Sequence, residues 1–182
     1  MTARSTASLV CRTATLADAE PVARFHVAVW QETYRDMAPP EAIARLGVER
    51  RLAAWRDTLA DPDPRRVTVI AQQDGQIVGL VSTGPTQAPL YAGRGEIKHL
   101  YVSADARRLG LGAALLTQGR DALAQAGFPG AALGVVRENA RARAFYAAQG
   151  GREIGTFTDP GPLWRSDMIL IAWARTRART QD

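Results

Sequence analysis

Cysteine and lysine are almost missing from this chain. Its one cysteine, Cys11, cannot close a disulfide within the molecule. Apolar, strand-forming neighbours surround it, which reads as a buried thiol in a reducing compartment and not as a nucleophile. A cytoplasmic location follows from that reading. No apolar run approaches the length of a membrane span, and the first residues hold no apolar signal core. A membrane is therefore not an expected partner. Lys98 is the only lysine among 23 basic residues, so the net charge of +5 is carried by arginine. A basic surface suits a polyanionic ligand, and nucleic acid is one such class. The basic residues are not interleaved with aromatics and no zinc spacing occurs, which argues against nucleic acid and gives no metal site. The tail from about 174 to 182, with Arg175 to Arg179, reads as a frayed, solvated end.

What is present fits one domain over residues 1–182, long enough to bury a sizeable core. Ser8 to Thr13 reads as a first strand. Thr15-x-x-Asp18 resembles a capping box and opens a long helix with Val22, Phe25 and Val29 on its apolar face. After Pro39-Pro40 a second helical piece runs from about Glu41 through Trp55 to Leu59, broken at Gly47. Val67 to Ala71 and Ile77 to Val81 form a hairpin about Asp74-Gly75. A loop from Gly84 to Gly93 leads to a strand at Glu96 to Val102, then a helix from Leu111 to Ala126. Ala131 to Val136 is a buried strand. A helix follows through Gln149 and ends at Gly150-Gly151. Arg152 to Thr158 and Met168 to Trp173 are the last strands. Antiparallel hairpins combined with one strand-helix-strand unit predict an α/β fold with a mixed central sheet flanked by helices.

The most informative stretch is the strand Glu96 to Val102, the turn Arg107-Arg108-Leu109-Gly110-Leu111-Gly112 and the helix that starts there. A helix opening directly after a glycine turn presents unpaired N–H groups and a positive dipole end, which suits an anion such as phosphate. Gly110 and Gly112 allow close backbone approach, and Arg107 and Arg108 add positive charge. No Lys-Ser or Lys-Thr follows the second glycine, so this is not a P-loop. Position 115 is leucine, and no acid stands about twenty residues on, so the dinucleotide fingerprint fails as well. Further on, Asn139 and Tyr146 lie seven apart on one expected helix. That spacing turns nearly two revolutions and places both on one face.

Arg107-x-x-Gly110-x-Gly112 resembles the acyl-CoA signature of the GNAT family of N-acetyltransferases. The run Val135-Val136-x-x-Asn139-x-x-Ala142-x-x-Phe145-Tyr146-x-x-x-Gly150 resembles a second block of the same family, in the right order and separation. The resemblance implies acetyl-CoA as cosubstrate, held in a V-shaped opening between the fourth and fifth strands. It implies that the backbone of Tyr101 and Val102 pairs with the pantetheine arm. Backbone N–H groups from Leu109, Gly110, Leu111, Gly112 and Ala113 cradle the pyrophosphate, with Arg107 and Arg108 beside them. Asn139 contacts the pantetheine arm, and Tyr146 sits near the sulfur as general acid. One departure shows: the family often has Gly-Phe after this helix, and here the pair is Gly150-Gly151, which removes an aromatic anchor. Dimers are common in the resembled family, so a homodimer is compatible with it.

The chemistry implied is attack of a neutral amine on a thioester, which calls for a base, a donor to the developing oxyanion and a proton for the thiolate. Glu96 is the candidate base, direct or through water. At about 3.3 Å per residue it lies roughly 20 Å along the strand from the phosphate end. Each residue also has a plainer reading. Tyr146 could pack, Glu96 could pair with Arg94 or Lys98, and Asn139 could be only an N-cap. His99 alternates onto the face opposite Glu96, which suits core or surface better than catalysis. His26 reads as structural. Trp30, Tyr34 and Trp55 could line an acceptor pocket or simply fill the core. The expected activity is acetyl-CoA-dependent N-acyl transfer to a primary amine, a small molecule or a peptide, by direct attack. The alternative is a non-catalytic acyl-CoA-binding or interaction module on the same fold. The acceptor is not encoded in any motif.

Overall fold

A computed structural model describes residues 9–174. Ser8 and the basic tail beyond Ala174 lie outside them. The described chain forms β1 (Leu9–Thr13), α1 (Ala19–Tyr34), α2 (Pro40–Arg45), α3 (Val48–Ala60), β2 (Val67–Gln73), β3 (Gln76–Gly84), β4 (Gly95–Val102), α4 (Leu111–Gln125), β5 (Gly130–Val136), α5 (Ala140–Ala148), β6 (Arg152–Asp159) and β7 (Ser166–Ala174). This is the expected order, and the second helical piece is indeed interrupted, with Gly47 extended at the start of α3. Asp18 receives the Thr15 backbone N–H at 2.8 Å and both terminal nitrogens of Arg12. It thereby joins β1 to the helix that follows.

Seven strands form one sheet in the order β1-β2-β3-β4-β5-β7-β6. Asp74 and Gly75 both take positive φ in the β2–β3 turn, which matches the twist of a tight hairpin. Only β4 and β5 run parallel, as a strand-helix-strand crossover through α4 requires. They pair only at Gly95 with Ala131 and Glu96 with Ala132, and then diverge. From Ile97 onward the β5-facing edge of β4 has no strand beside it, which is the V-shaped opening.

Helices cover both faces of the sheet. Leu111, Leu115, Leu116 and Leu123 of α4 pack with Tyr146 of α5 against Val81, Ile97, Leu133 and Ile171. Burying a leucine in this way contributes about 1.5–3 kcal/mol. On the other face Val22 and Ala23 of α1 and Trp55 of α3 pack on Ile70 and Leu80. None of the described helices is long and apolar enough to cross a membrane.

Two local expectations are corrected. Cys11 is exposed, not buried. β1 is the outer strand of the sheet, and Leu9 and Val10 beside the thiol are each half exposed as well. His99 does not lie opposite Glu96. Pairing between β3 and β4 passes from Thr83–Ile97 to Ser82–His99, so Lys98 is an extra residue bulged out of the ladder. A bulge resets the alternation of side chains. Ile97, Leu100 and Val102 pack on the α4 side, whereas His99 and Tyr101 stack with the aromatic residues on the α1 side.

Candidate active site

The turn before α4 is built on positive φ at Arg108 and Gly110, +66° and +79°. The first helical hydrogen bond runs from the Ala114 N–H to the Gly110 carbonyl at 3.0 Å. The N–H groups of Leu111, Gly112 and Ala113 therefore point out of the helix start without intrahelical partners. A Cβ on Gly112 would lie 3.4 Å from Phe145 and 3.8 Å from Val102, so this corner faces the cleft between β4 and α5. Arg107 is tied down: its Nε donates to the Val102 carbonyl at 3.0 Å and its guanidinium pairs with Glu32 of α1. The arginine clamps the turn to the end of β4, and Glu32 offsets its charge. Arg108 lies exposed at the same rim. The Leu109 side chain is 77% exposed, while that of Leu111 is in the core, so both could serve an anion only through their backbones.

From this corner a cavity of about 810 Å³ extends along the opening, walled by Ile97 to Val102 of β4 and Leu133 to Val136 of β5. That volume is ample for a ligand of cofactor-arm size. Asn139 and Tyr146 both line it and are both buried. Asn139 also caps α5, its Oδ1 accepting the Ala142 N–H at 3.1 Å. Burial raises the Tyr146 phenol well above its ordinary value, with Tyr34 adding to the effect, so it stays protonated at neutral pH. Tyr101 is raised in the same way by burial and by Tyr34. Burial also raises Tyr34, with the Asn139 side chain opposing. Three phenols from α1, β4 and α5 thus meet across the cavity, each able to donate a proton.

Trp30 and Tyr34 line the cavity as well, packed with Trp164 from the β6–β7 connection at ring separations of 5.0 to 5.6 Å. Sequence reasoning missed Trp164, because its loop carries no periodic signal. It also missed the wall behind Tyr101. There His26 accepts the Trp55 indole N–H on Nδ1 at 3.1 Å, and His99 lies 4.7 Å from His26 between ring centroids. Burial is the largest cause lowering both imidazoles, His26 to about 2 and His99 to about 3, and the positive charge of Arg51 lowers each further. Both are therefore neutral. Arg51 of α3 completes this wall.

Glu96 is not brought into the cavity wall. Its Oε1 accepts the Tyr91 hydroxyl at 3.0 Å, a partner other than the expected Arg94 or Lys98. The missing aromatic at Gly151 is made good from β7. A Cβ on Gly151 would lie 2.7 Å from both Ile171 and the Trp173 ring, so the indole occupies the space that a larger residue would claim.

The model of the acetyltransferase (GNAT) family matches residues 27–150. An uncharacterized N-acetyltransferase, YuaI, of Bacillus subtilis is 28% identical over 128 residues, 70% of this chain and 72% of that protein. The PaiA N-acetyltransferase of Thermoplasma acidophilum, solved in complex with coenzyme A, superposes with a TM-score of 0.70 at 21% identity, covering 90% of this chain and 98% of that one. The structure of yncA from Salmonella typhimurium with acetyl-CoA gives a TM-score of 0.67 at 17% identity, covering 96% and 98%. A family match across 27–150, on a mixed sheet that opens between β4 and β5, places this chain in the GNAT family of acetyltransferases.

Proposed function

We propose that the chain is an acetyl-CoA-dependent N-acetyltransferase that acts on a primary amine of a small molecule or peptide by direct attack in a ternary complex. The observation that carries this reading is the continuity of one cavity. It runs from the free N–H groups at the start of α4, along the unpaired edge of β4, to the protonated phenol of Tyr146. Two structural neighbours solved with coenzyme A or acetyl-CoA support the choice of cosubstrate.

In this reading the N–H groups from Leu109 to Ala113 hold the diphosphate at the helix dipole, with Arg108 beside it and Arg107 fixing the turn. The free edge of β4 at Tyr101 and Val102 pairs with the amides of the arm, and a β4 N–H donates to the thioester oxygen as charge develops. The Val102 carbonyl is already engaged by Arg107, so at Val102 the N–H is the group left for the arm. Asn139 orients the arm. The amine nitrogen bonds to the acetyl carbon, the carbon–sulfur bond breaks, and Tyr146 gives its proton to the leaving thiolate. The amine loses a proton to Glu96 through water, since the carboxylate is bonded to Tyr91 and is not part of the cavity wall. Trp30 and Tyr34 border the acceptor. Cys11, the only thiol of the chain, lies on the exposed edge strand and is not placed to carry an acyl group, which supports direct attack.

The test is thiol release from acetyl-CoA across a panel of primary amines. Amine-dependent release is expected. Tight acetyl-CoA binding with no release for any amine would replace this reading with a non-catalytic acyl-CoA-binding module. Unchanged turnover in Glu96→Gln would remove that residue from the role of base.

A further inference from the structure

The two ends of the cavity differ in how their charges are matched. At the α4 end Arg107 is already neutralised by Glu32, and helix N–H groups are the free donors. At the opposite wall the Arg51 guanidinium lines the cavity and forms no ion pair among the described residues. Its Nε is fully out of contact with solvent. A half-buried guanidinium without an anion is costly to fold, and structures rarely keep one without use.

The surroundings do not supply the missing charge. Tyr101, His26 and His99 adjoin Arg51 electrostatically, and all three are neutral at ordinary pH. Glu32, which lines the same cavity, is held by Arg107. Next to Arg51, His26 carries a second donor without a partner: its Nδ1 accepts from Trp55, so the proton of the neutral ring is on Nε2, which meets no acceptor. Both of these atoms are themselves shielded, so what the cavity offers a ligand is the outer part of the Arg51 guanidinium, a positive charge with no carboxylate set against it.

We propose that Arg51 receives the carboxylate of the acceptor, so that the amine acetylated by this protein is a carboxylate-bearing one of the amino-acid type, with its apolar part against Trp30, Tyr34 and Trp164. A single planar guanidinium fork matches a carboxylate side-on and balances one negative charge. The aromatic wall lies on the same side of Tyr101, through Tyr34. Polyamines fit poorly. Among the described residues Glu32 and Asp159 are the only acids in the cavity lining, against five cations. Glu32 is engaged by Arg107, and one oxygen of Asp159 by the Gly161 N–H. The inference rests on the acetyl-transfer reading above.

The experiment compares L-phenylalanine and L-leucine with their primary amides and with the matching decarboxylated amines as acceptors for thiol release. The free acids are expected to be favoured by roughly ten- to a hundred-fold in kcat/KM, the span of one charge-assisted hydrogen bond. Arg51→Gln is expected to remove that preference through KM, leaving acetyl-CoA affinity unchanged, and Arg51→Lys to restore part of it. Amides that equal the acids, or an Arg51→Gln loss that is the same for acids and amides, would overturn the carboxylate site. Binding of N-acetyl-L-phenylalanine and of its amide, followed by calorimetry, separates the two hypotheses. Binding of the acid that Arg51→Gln abolishes keeps the site even if no amine releases thiol, in which case only the catalytic reading falls. Should Arg51→Gln not fold, the acid-to-amide comparison on the unaltered protein still decides.

Discussion

Trp173 stands edge-on to Tyr146, with ring centroids 5.8 Å apart and planes at 84°. Its indole N–H donates to the Gln149 carbonyl at 3.0 Å, at the end of α5. A β7 side chain thus both buries the phenol assigned to proton donation and ties off the helix that carries it. The arrangement is possible because Gly151 leaves the space open.

Gly151→Ala is therefore expected to destabilise the fold although it adds only one methyl group. That carbon would sit 2.7 Å from both Ile171 and Trp173, inside van der Waals contact. Overpacking of this kind costs about 1–3 kcal/mol, or several degrees of melting temperature in a chain of this size. Thermal melting followed by circular dichroism reads it, and an unchanged midpoint would mean that β7 yields freely.

Tyr146→Phe keeps the ring contacts with Phe145 and Trp173 and removes only the hydroxyl. Turnover is expected to fall by about a hundred-fold, the usual range for a positioned proton donor. Acetyl-CoA affinity by calorimetry should stay the same. Wild-type turnover in this variant would exclude the hydroxyl from the chemistry.

Gly112→Leu places a side chain at the open corner of α4. The nearest protein atoms to its Cβ are at ordinary contact distance, 3.4 Å, so the fold should survive. Acetyl-CoA affinity should drop by roughly ten-fold or more, since losing one charge-assisted hydrogen bond costs about 1.5–3 kcal/mol. Equal affinity in the variant would move the diphosphate away from the helix start.

His26 and His99 make stability depend on pH in a definite direction. Their imidazoles titrate near 2 and 3 in the folded chain, mainly because of burial, and near 6.5 when unfolded. The unfolded chain therefore binds protons that the folded chain refuses. No stability is lost above pH 6.5, and it declines as pH falls below that. For His26, only 1% exposed, the slope approaches about 1.4 kcal/mol per pH unit. Asp18 acts in a separate range. Its hydrogen bonds from Arg12 hold the carboxyl well below the usual range, so its contribution is complete above about pH 4 and declines only below that. Urea midpoints at pH 7, 6 and 5 should fall steadily, and His99→Asn should lessen the slope. A flat profile would show that the histidines are protonated in the fold.

The turn and helix start that the proposed reading gives to the diphosphate were legible because they are local. Arg107 to Ala113 is one unbroken stretch in which turn glycines, helix start and charge sit side by side, and Asn139 and Tyr146 are related by helical period alone. The order of strands and helices follows from hydrophobic period and turn residues in the same way, and it carried the mixed sheet with it. The exposure of Cys11 could not be read, because it depends on which strand ends at the edge of the sheet. Nor could the bulge at Lys98, since it arises from the register of β4 against β3 and reverses the face on which His99 lies. The opposite wall of the cavity joins His26 of α1, Arg51 of α3, His99 of β4 and Trp164 of the last loop, residues far apart in the chain. Their meeting, and the unmatched charge of Arg51 within it, exists only once both layers have packed on the sheet, because desolvation and pairing are properties of the assembled surroundings and not of any segment.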